Sequence, residues 1–87
     1  MTFFVYLLRC KDCSFYCGWT NNLEKRINAH NAGTASKYTK SRRPVHLVYV
    51  EKTKNLSSAL RREFQIKKLS HNQKENLVNS KKKYSSN

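Results

Sequence analysis

The stretch FFVYLLRCKDCSFYCGW, Phe3 to Trp19, decides the fold. Phe3 to Leu8 is a continuous apolar run, the pattern of a strand covered on both faces. Lys11-Asp12-Cys13 interrupts it with turn chemistry, and a second strand follows. A three-residue loop pairs Cys10 with Ser14, Leu8 with Tyr16 and Tyr6 with Gly18. Opposed residues point to the same side of a sheet, and side chains alternate along each strand. Tyr6, Leu8 and Tyr16 therefore share one face, with Gly18 opposite Tyr6. A two-residue loop would split the tyrosines between faces, so the odd loop is the expectation. Its third residue ordinarily takes a left-handed conformation, for which Cys13 is an unusual choice. A tyrosine inside such a run must also find a partner for its hydroxyl.

Downstream, Thr20-Asn21-Asn22 can cap a helix over Leu23 to Asn31, anchored by Leu23 and Ile27. At roughly 100° per residue, Leu23, Arg26, Ile27 and His30 share one arc. Arg26 and His30 thus sit in the stripe that faces the sheet, where they can approach the tyrosines. The competing reading has Arg26 lay its stem on apolar surface and reach out to water. Gly33 supplies a left-handed stop. ASKYTKSRR, residues 35–43, is a loop or one short helix in which Tyr38 interleaves with Lys37, Lys40, Arg42 and Arg43. Cations of this kind hold backbone phosphates while an aromatic stacks or hydrogen-bonds, although a solvated basic loop looks the same.

Pro44 opens a third strand, Val45 to Val50, with His46 as its polar interruption. A longer helix then runs from Leu56 to Leu69, capped by Asn55 or Ser57. Leu56, Ala59, Leu60, Glu63 and Lys67 recur at helical spacing, which places Glu63 in the core-facing stripe beside Leu60 and Phe64. A carboxylate there is costly unless it is paired, with Lys67 or Arg26, or binds a cation. Residues 70–79 suit a short helix docking Leu77 and Val78. The expected organisation is one domain over residues 1–80 and a disordered basic tail over 81–87. The fold class is α+β: a small three-stranded antiparallel sheet with helices packed on it, in the order β-β-α-α-β-α, the first strand in the middle.

Lys and Arg number 18 against five acids in 87 residues, a formal charge of +13 and a pI of about 10.1. Such a balance calls for a polyanionic partner. Nucleic acid fits better than an anionic membrane, because no long amphipathic or spanning segment appears. The apolar run at 3–8 is too short for a signal peptide and no basic residue precedes it, so a cytoplasmic protein is expected. Cys10-x-x-Cys13 with Cys17 could suggest zinc; three thiols in a reducing compartment is the preferred reading.

Phe4-Val5-Tyr6 followed by Tyr16-Cys17-Gly18 resembles the paired motifs of the GIY-YIG nuclease superfamily. More narrowly, the chain resembles that superfamily's small single-domain bacterial members, related to the nuclease domain of the UvrC repair protein. The first triplet keeps only its tyrosine; the second keeps Tyr16 and Gly18. The resemblance runs from about Phe3 to Leu69, and it implies a metal-dependent endonuclease that hydrolyses nucleic-acid phosphodiesters, with DNA repair or processing as the setting. It further implies that Tyr6 or Tyr16 takes the proton from the attacking water. Arg26 would hold a phosphate oxygen, His30 would orient a tyrosine or the water, and Glu63 would bind one divalent metal, Mg²⁺ by expectation. The implied partner is nucleic acid, DNA ahead of RNA, met by a monomer. Selectivity would come from nucleic-acid shape, from ends or branches, or from a partner protein. Many members also place a C-terminal asparagine in the site; Asn72 and Asn76 are near, and neither spacing decides between them. The alternative function is a basic DNA- or RNA-binding accessory protein that does not cut.

Overall fold

The computed structural model describes residues 2–85. β1 (Phe3–Arg9) is the middle strand of a three-stranded antiparallel sheet, between β2 (Phe15–Thr20) and β3 (His46–Thr53). Its central residues Val5, Tyr6, Leu7 and Leu8 are all buried, as a strand covered on both faces requires. The hairpin register is the one expected from the three-residue loop: Tyr6 opposes Gly18 and Leu8 opposes Tyr16. Cys13 takes the left-handed conformation, with φ of 69°. Asp12 accepts from both the backbone N–H and the hydroxyl of Ser14, which holds the turn shut around that residue.

α1 (Leu23–Ala32) covers the tyrosine face. Asn22 caps it by accepting from the Lys25 N–H, and Gly33 ends it at φ of 83°. The single turn α2 (Lys37–Lys40) follows, capped by Ser36. β3 is longer than the expected Val45–Val50. It continues to Thr53 because Glu51, Lys52 and Thr53 complete the ladder opposite Val5, Phe4 and Phe3. A register shift between Leu7 and Leu8 bulges β3 and leaves Leu47 exposed.

α3 (Leu56–Lys67) and α4 (His71–Ser85) lie on the other face, over Val5, Leu7, Phe15, Cys17 and Tyr49. Asn55 caps α3. Here two expectations are corrected. The residues that α3 buries are Ala59 and Ile66, whereas Leu56 and Leu60 of the expected stripe are exposed. The helix has two apolar sides, and Arg62, held by Glu51 of β3 through Nε and Nη2, fixes the side that faces in. The helix expected over 70–79 also runs further, from His71 to Ser85. Lysine is a good helix former and suits a helix C-terminus, so the basic run within it carries no stop signal. Ser86 and Asn87 lie outside the described residues.

The phase of α3 is testable by stability. Ile66→Ala should cost about 2–5 kcal/mol in urea unfolding, as a truncation in a packed core. Phe64→Ala, on the exposed side, should change stability by less than about 0.5 kcal/mol. The reverse order would mean that the Leu56–Leu60–Phe64 side faces the sheet.

Candidate active site

Tyr6 and Tyr16 lie side by side on the α1 face of the hairpin, and His30 of α1 descends between them. The Tyr6 Oη lies 2.8 Å from His30 Nε2, and His30 Nδ1 lies 2.8 Å from Thr39 Oγ1. Thr39 in turn contacts the Ser36 carbonyl at 3.4 Å. That carbonyl can only accept, so it orders the whole chain. The Thr39 hydroxyl donates to Ser36, His30 donates from Nδ1 to Thr39, and Nε2 is left to accept the Tyr6 proton. This assignment needs a neutral imidazole. Burial, and secondarily the charge of Arg26, hold the His30 pKa below its ordinary 6.5. Burial first, then the neighbouring Tyr16, push the Tyr6 phenol well above its usual range. The resting pair is therefore a protonated phenol hydrogen-bonded to a neutral histidine.

Gly18 completes this pocket by having no side chain. A Cβ there would stand 2.6 Å from the Tyr6 Oη and 3.2 Å from Tyr16 Cε2. The Tyr6 hydroxyl is fixed by His30 and could not retreat, so the glycine is a steric requirement of the paired tyrosines.

Tyr16 is half-buried and begins an aromatic row that leads outward. Its ring centroid lies 5.0 Å from that of His30 and 6.0 Å from that of Tyr38, and the Arg42 guanidinium stacks 3.9 Å above Tyr38. The basic segment expected to meet nucleic acid thus lies against the tyrosines, with its cations divided between two jobs. Arg42 pairs with Asp12 at 3.1 Å and donates to the Tyr38 carbonyl. Arg43 donates to the carbonyls of Lys40 and Asn31 and so ties α2 to the end of α1. Both arginines hold the fold. Lys37 and Lys40 are exposed, and among the described residues no carboxylate lies within ion-pair distance of them.

Arg26 and Glu63 approach from different sides. Arg26 is exposed rather than packed in the stripe, yet its charge acts on both Tyr6 and His30. Glu63 comes from α3, which packs on the sheet face opposite α1. It reaches the β2 edge. Its backbone carbonyl lies 3.9 Å from the Cys17 Sγ, and its charge adds to the rise of both Cys17 and Tyr6. Burial is the larger cause of the Cys17 shift, to about 12. The Glu63 side chain is 17% exposed, and Lys67 Nζ stands 3.7 Å from its Oε2.

Among the described residues no three His, Cys, Asp or Glu side chains converge as a metal site. Cys10 and Cys17 lie on opposite sheet faces, which excludes the zinc reading of the three thiols. The donor set does fit Mg²⁺, which takes one or two carboxylates and fills its remaining positions with water and substrate phosphate. Glu63 is a single, partly open carboxylate with a loosely placed ammonium partner.

Thr39 was not legible as a site residue, although Ser36-x-x-Thr39 is a capping pattern that would have placed it at the start of a turn. Asn72 and Asn76 are exposed on α4 and make no contact with the tyrosine cluster among the described residues.

Comparison with known proteins decides the family. The model of the GIY-YIG catalytic domain matches residues 2–76. The chain belongs to the GIY-YIG family. Similar proteins include UPF0213 protein CPE1444 of Clostridium perfringens, 59% identical over 90% of this chain and 84% of that protein. UPF0213 protein YazA of Bacillus subtilis is 43% identical over 91% and 80%. Among solved structures, the UPF0213 protein BH0048 of Bacillus halodurans superposes with a TM-score of 0.61 at 41% identity, covering 93% of this chain and 86% of that one. EF2693 of E. faecalis superposes with a TM-score of 0.63 at 38% identity, covering 92% and 85%. This GIY-YIG chain is thus α+β, like its small bacterial relatives. No helix among its described residues is long and apolar enough to cross a membrane.

The buried histidine should leave a mark on stability. Its folded pKa lies below 6.5, so between those two values the unfolded chain binds the extra proton. Stability should fall as pH drops from neutral into that window, and His30→Gln should remove this component of the slope. Urea midpoints of both proteins from pH 7 to pH 5 check it; parallel curves would place the histidine charge outside the buried chain.

Proposed function

We propose that this protein is a metal-dependent endonuclease that hydrolyses phosphodiesters of nucleic acid, DNA ahead of RNA. The observation that carries the reading is the ordered Tyr6–His30 pair. Because the Tyr6 proton is directed at Nε2, its oxygen can only accept from any further donor. A water hydrogen-bonded to that oxygen is oriented with its own lone pair free for phosphorus. As the water attacks, its proton passes to Tyr6 Oη while the Tyr6 proton passes to His30 Nε2. One proton enters and one leaves the phenol, and the imidazolium keeps its Nδ1–H on Thr39. No standing tyrosinate is needed, which suits a phenol whose burial disfavours the anion.

Tyr16, half-exposed beside Tyr6, orients the water. Arg26 offers its guanidinium to a non-bridging phosphate oxygen. Glu63 would hold the divalent cation, which when bound supplies Lewis-acid stabilisation and helps the leaving oxygen. Lys37, Lys40 and Tyr38 follow the strand away from the scissile phosphate, with Arg42 and Arg43 adding charge while they brace the loop. The reading carries with it 5′-phosphate and 3′-hydroxyl products, a monomeric cytoplasmic protein and a role in DNA repair or processing.

A second reading is favoured by one contact. If Glu63 is only the partner of Lys67, the protein binds nucleic acid without cutting it. Glu63→Gln separates the two. A metal ligand lost should reduce cleavage by orders of magnitude, while metal-free binding persists or tightens because a negative charge has gone. Unchanged cleavage with a lower melting temperature would leave Glu63 a structural ion pair. Absence of cleavage by the parent on duplex, single-stranded and branched DNA and RNA with Mg²⁺, binding intact, would favour the accessory protein.

The relay has its own signature in the pH–rate profile. With neutral His30 as final acceptor, cleavage should rise with pH and level off, the midpoint of the rise lying below pH 6.5, because the folded histidine pKa is depressed. Tyr6→Phe should lose most of the rate. A rate that climbs continuously toward the phenol range would instead mark a tyrosinate as the base.

A further inference from the structure

α3 turns an unburied apolar strip outward. Leu56, Leu60 and Phe64 are 40%, 44% and 59% exposed, and their four-residue spacing stacks them along one flank. The residues that α3 buries are Ala59 and Ile66, on another side of the helix. Helical geometry places this flank next to Glu63. At about 100° per residue, Leu56, Leu60 and Phe64 fan out from about 20° to about 100° beyond the glutamate. The carboxylate therefore stands on the border between the buried face and the strip.

The charges around the strip select its partner. Lys67 projects within it, Lys68 Nζ lies 4.3 Å over the Phe64 ring, and Arg61 flanks the far side. All three are exposed. An aromatic tip framed by cations is complementary to a polyanion that also carries flat apolar faces. Nucleic acid answers both requirements: phosphates meet the cations, and unstacked bases meet the ring. In regular duplex the base faces are hidden in the stack, so exposed apolar side chains find them only at an end, a gap, a single strand or a kinked step.

We propose that Leu60 and Phe64, extended by Leu56, form a base-stacking wedge that holds unpaired nucleotides beside the phosphate served by Glu63. The inference rests on the nuclease reading and narrows its substrate to single-stranded or locally unstacked nucleic acid.

The test compares the parent with the double variant Leu60→Ala, Phe64→Ala. The probe is a short oligodeoxynucleotide carrying 2-aminopurine, single-stranded or in regular duplex, titrated in EDTA at several salt concentrations. The parent should bind the single strand more tightly than the duplex and change the 2-aminopurine emission. The double variant should weaken single-strand binding by about tenfold and lose the emission change. Its slope of log affinity against log salt should stay the same, because no cation is removed. Its melting temperature should not fall, since both side chains are exposed, and Phe64→Tyr alone should keep the emission change. Unchanged single-strand affinity in the double variant would overturn the wedge and leave the nuclease reading standing if the parent still cuts. Self-association of the parent that the double variant abolishes, with DNA binding unaltered, would overturn it in favour of an interface between copies. A parent that binds no nucleic acid would overturn the wedge and the nuclease reading together.

Discussion

Everything at the centre of this protein depends on a buried run of three hydrogen bonds, from Tyr6 to His30 to Thr39 to the Ser36 carbonyl. A phenol, an imidazole and a hydroxyl taken out of water are each costly unless partnered. Here Tyr6 donates, His30 and Thr39 each donate once and accept once, and no buried polar side-chain atom among the described residues is left unsatisfied. The run also joins the central strand to α1 and α1 to α2, segments that share few other polar ties. It thereby sets the height of His30 over the sheet, the lack of a side chain at Gly18, and the seat of the loop that brings Tyr38 to Tyr16. A fully satisfied network of this kind specifies one arrangement, because any shift strands a group in apolar surroundings.

The acids tell a second story. Five carboxylates face 18 cations. Asp12, Glu51 and Glu75 are each matched with an arginine, Arg42, Arg62 and Arg9, at 3.1, 2.8 and 2.6 Å. Each pair braces a junction: the hairpin turn to the basic loop, α3 to β3, and α4 to β1. Glu24 lies in the first turn of α1, where a negative charge favours the helix. Glu63 alone is shielded from solvent with only a lysine at 3.7 Å, and that lysine is 54% exposed. An exposed, flexible ammonium at that range contributes little, so no structural task accounts for this carboxylate as one does for the others.

What the sequence disclosed, and what it hid, follows from the reach of each signal. The hairpin register rested on parity: an odd loop puts both tyrosines on one face, whatever else the chain does. The caps Asn22, Gly33 and Asn55 are local and were equally legible. The phase of α3 was not, because Leu56, Leu60 and Phe64 form as good an apolar stripe as Ala59 and Ile66. The choice between them is made by a residue on another element, Glu51, taking hold of Arg62. Thr39 was hidden for the same reason: its partner lies nine positions away on a different helix. Arg42 and Arg43 read as free cations since charge counts cannot show that carbonyls and Asp12 engage them.

The imperfect family triplets have a physical explanation in the pleat. In Phe4-Val5-Tyr6 and Tyr16-Cys17-Gly18 the middle residues, Val5 and Cys17, point away from the tyrosines into the core beneath α3 and α4. Only bulk and apolarity are required there, so a small thiol can fill such a place. Tyr6, Tyr16 and Gly18 point the other way, where a hydroxyl, a ring and an absent side chain must coexist within about one van der Waals contact. Two of the three departures from the family letters, Val5 and Cys17, therefore fall on positions that pack beneath α3 and α4; the third, Phe4, shares the parity of Tyr6, while Tyr6, Tyr16 and Gly18 keep their identities. β2 is an edge strand, and Glu63 meets it from the face opposite the tyrosines, its carbonyl at Cys17 while its charge still acts on Tyr6.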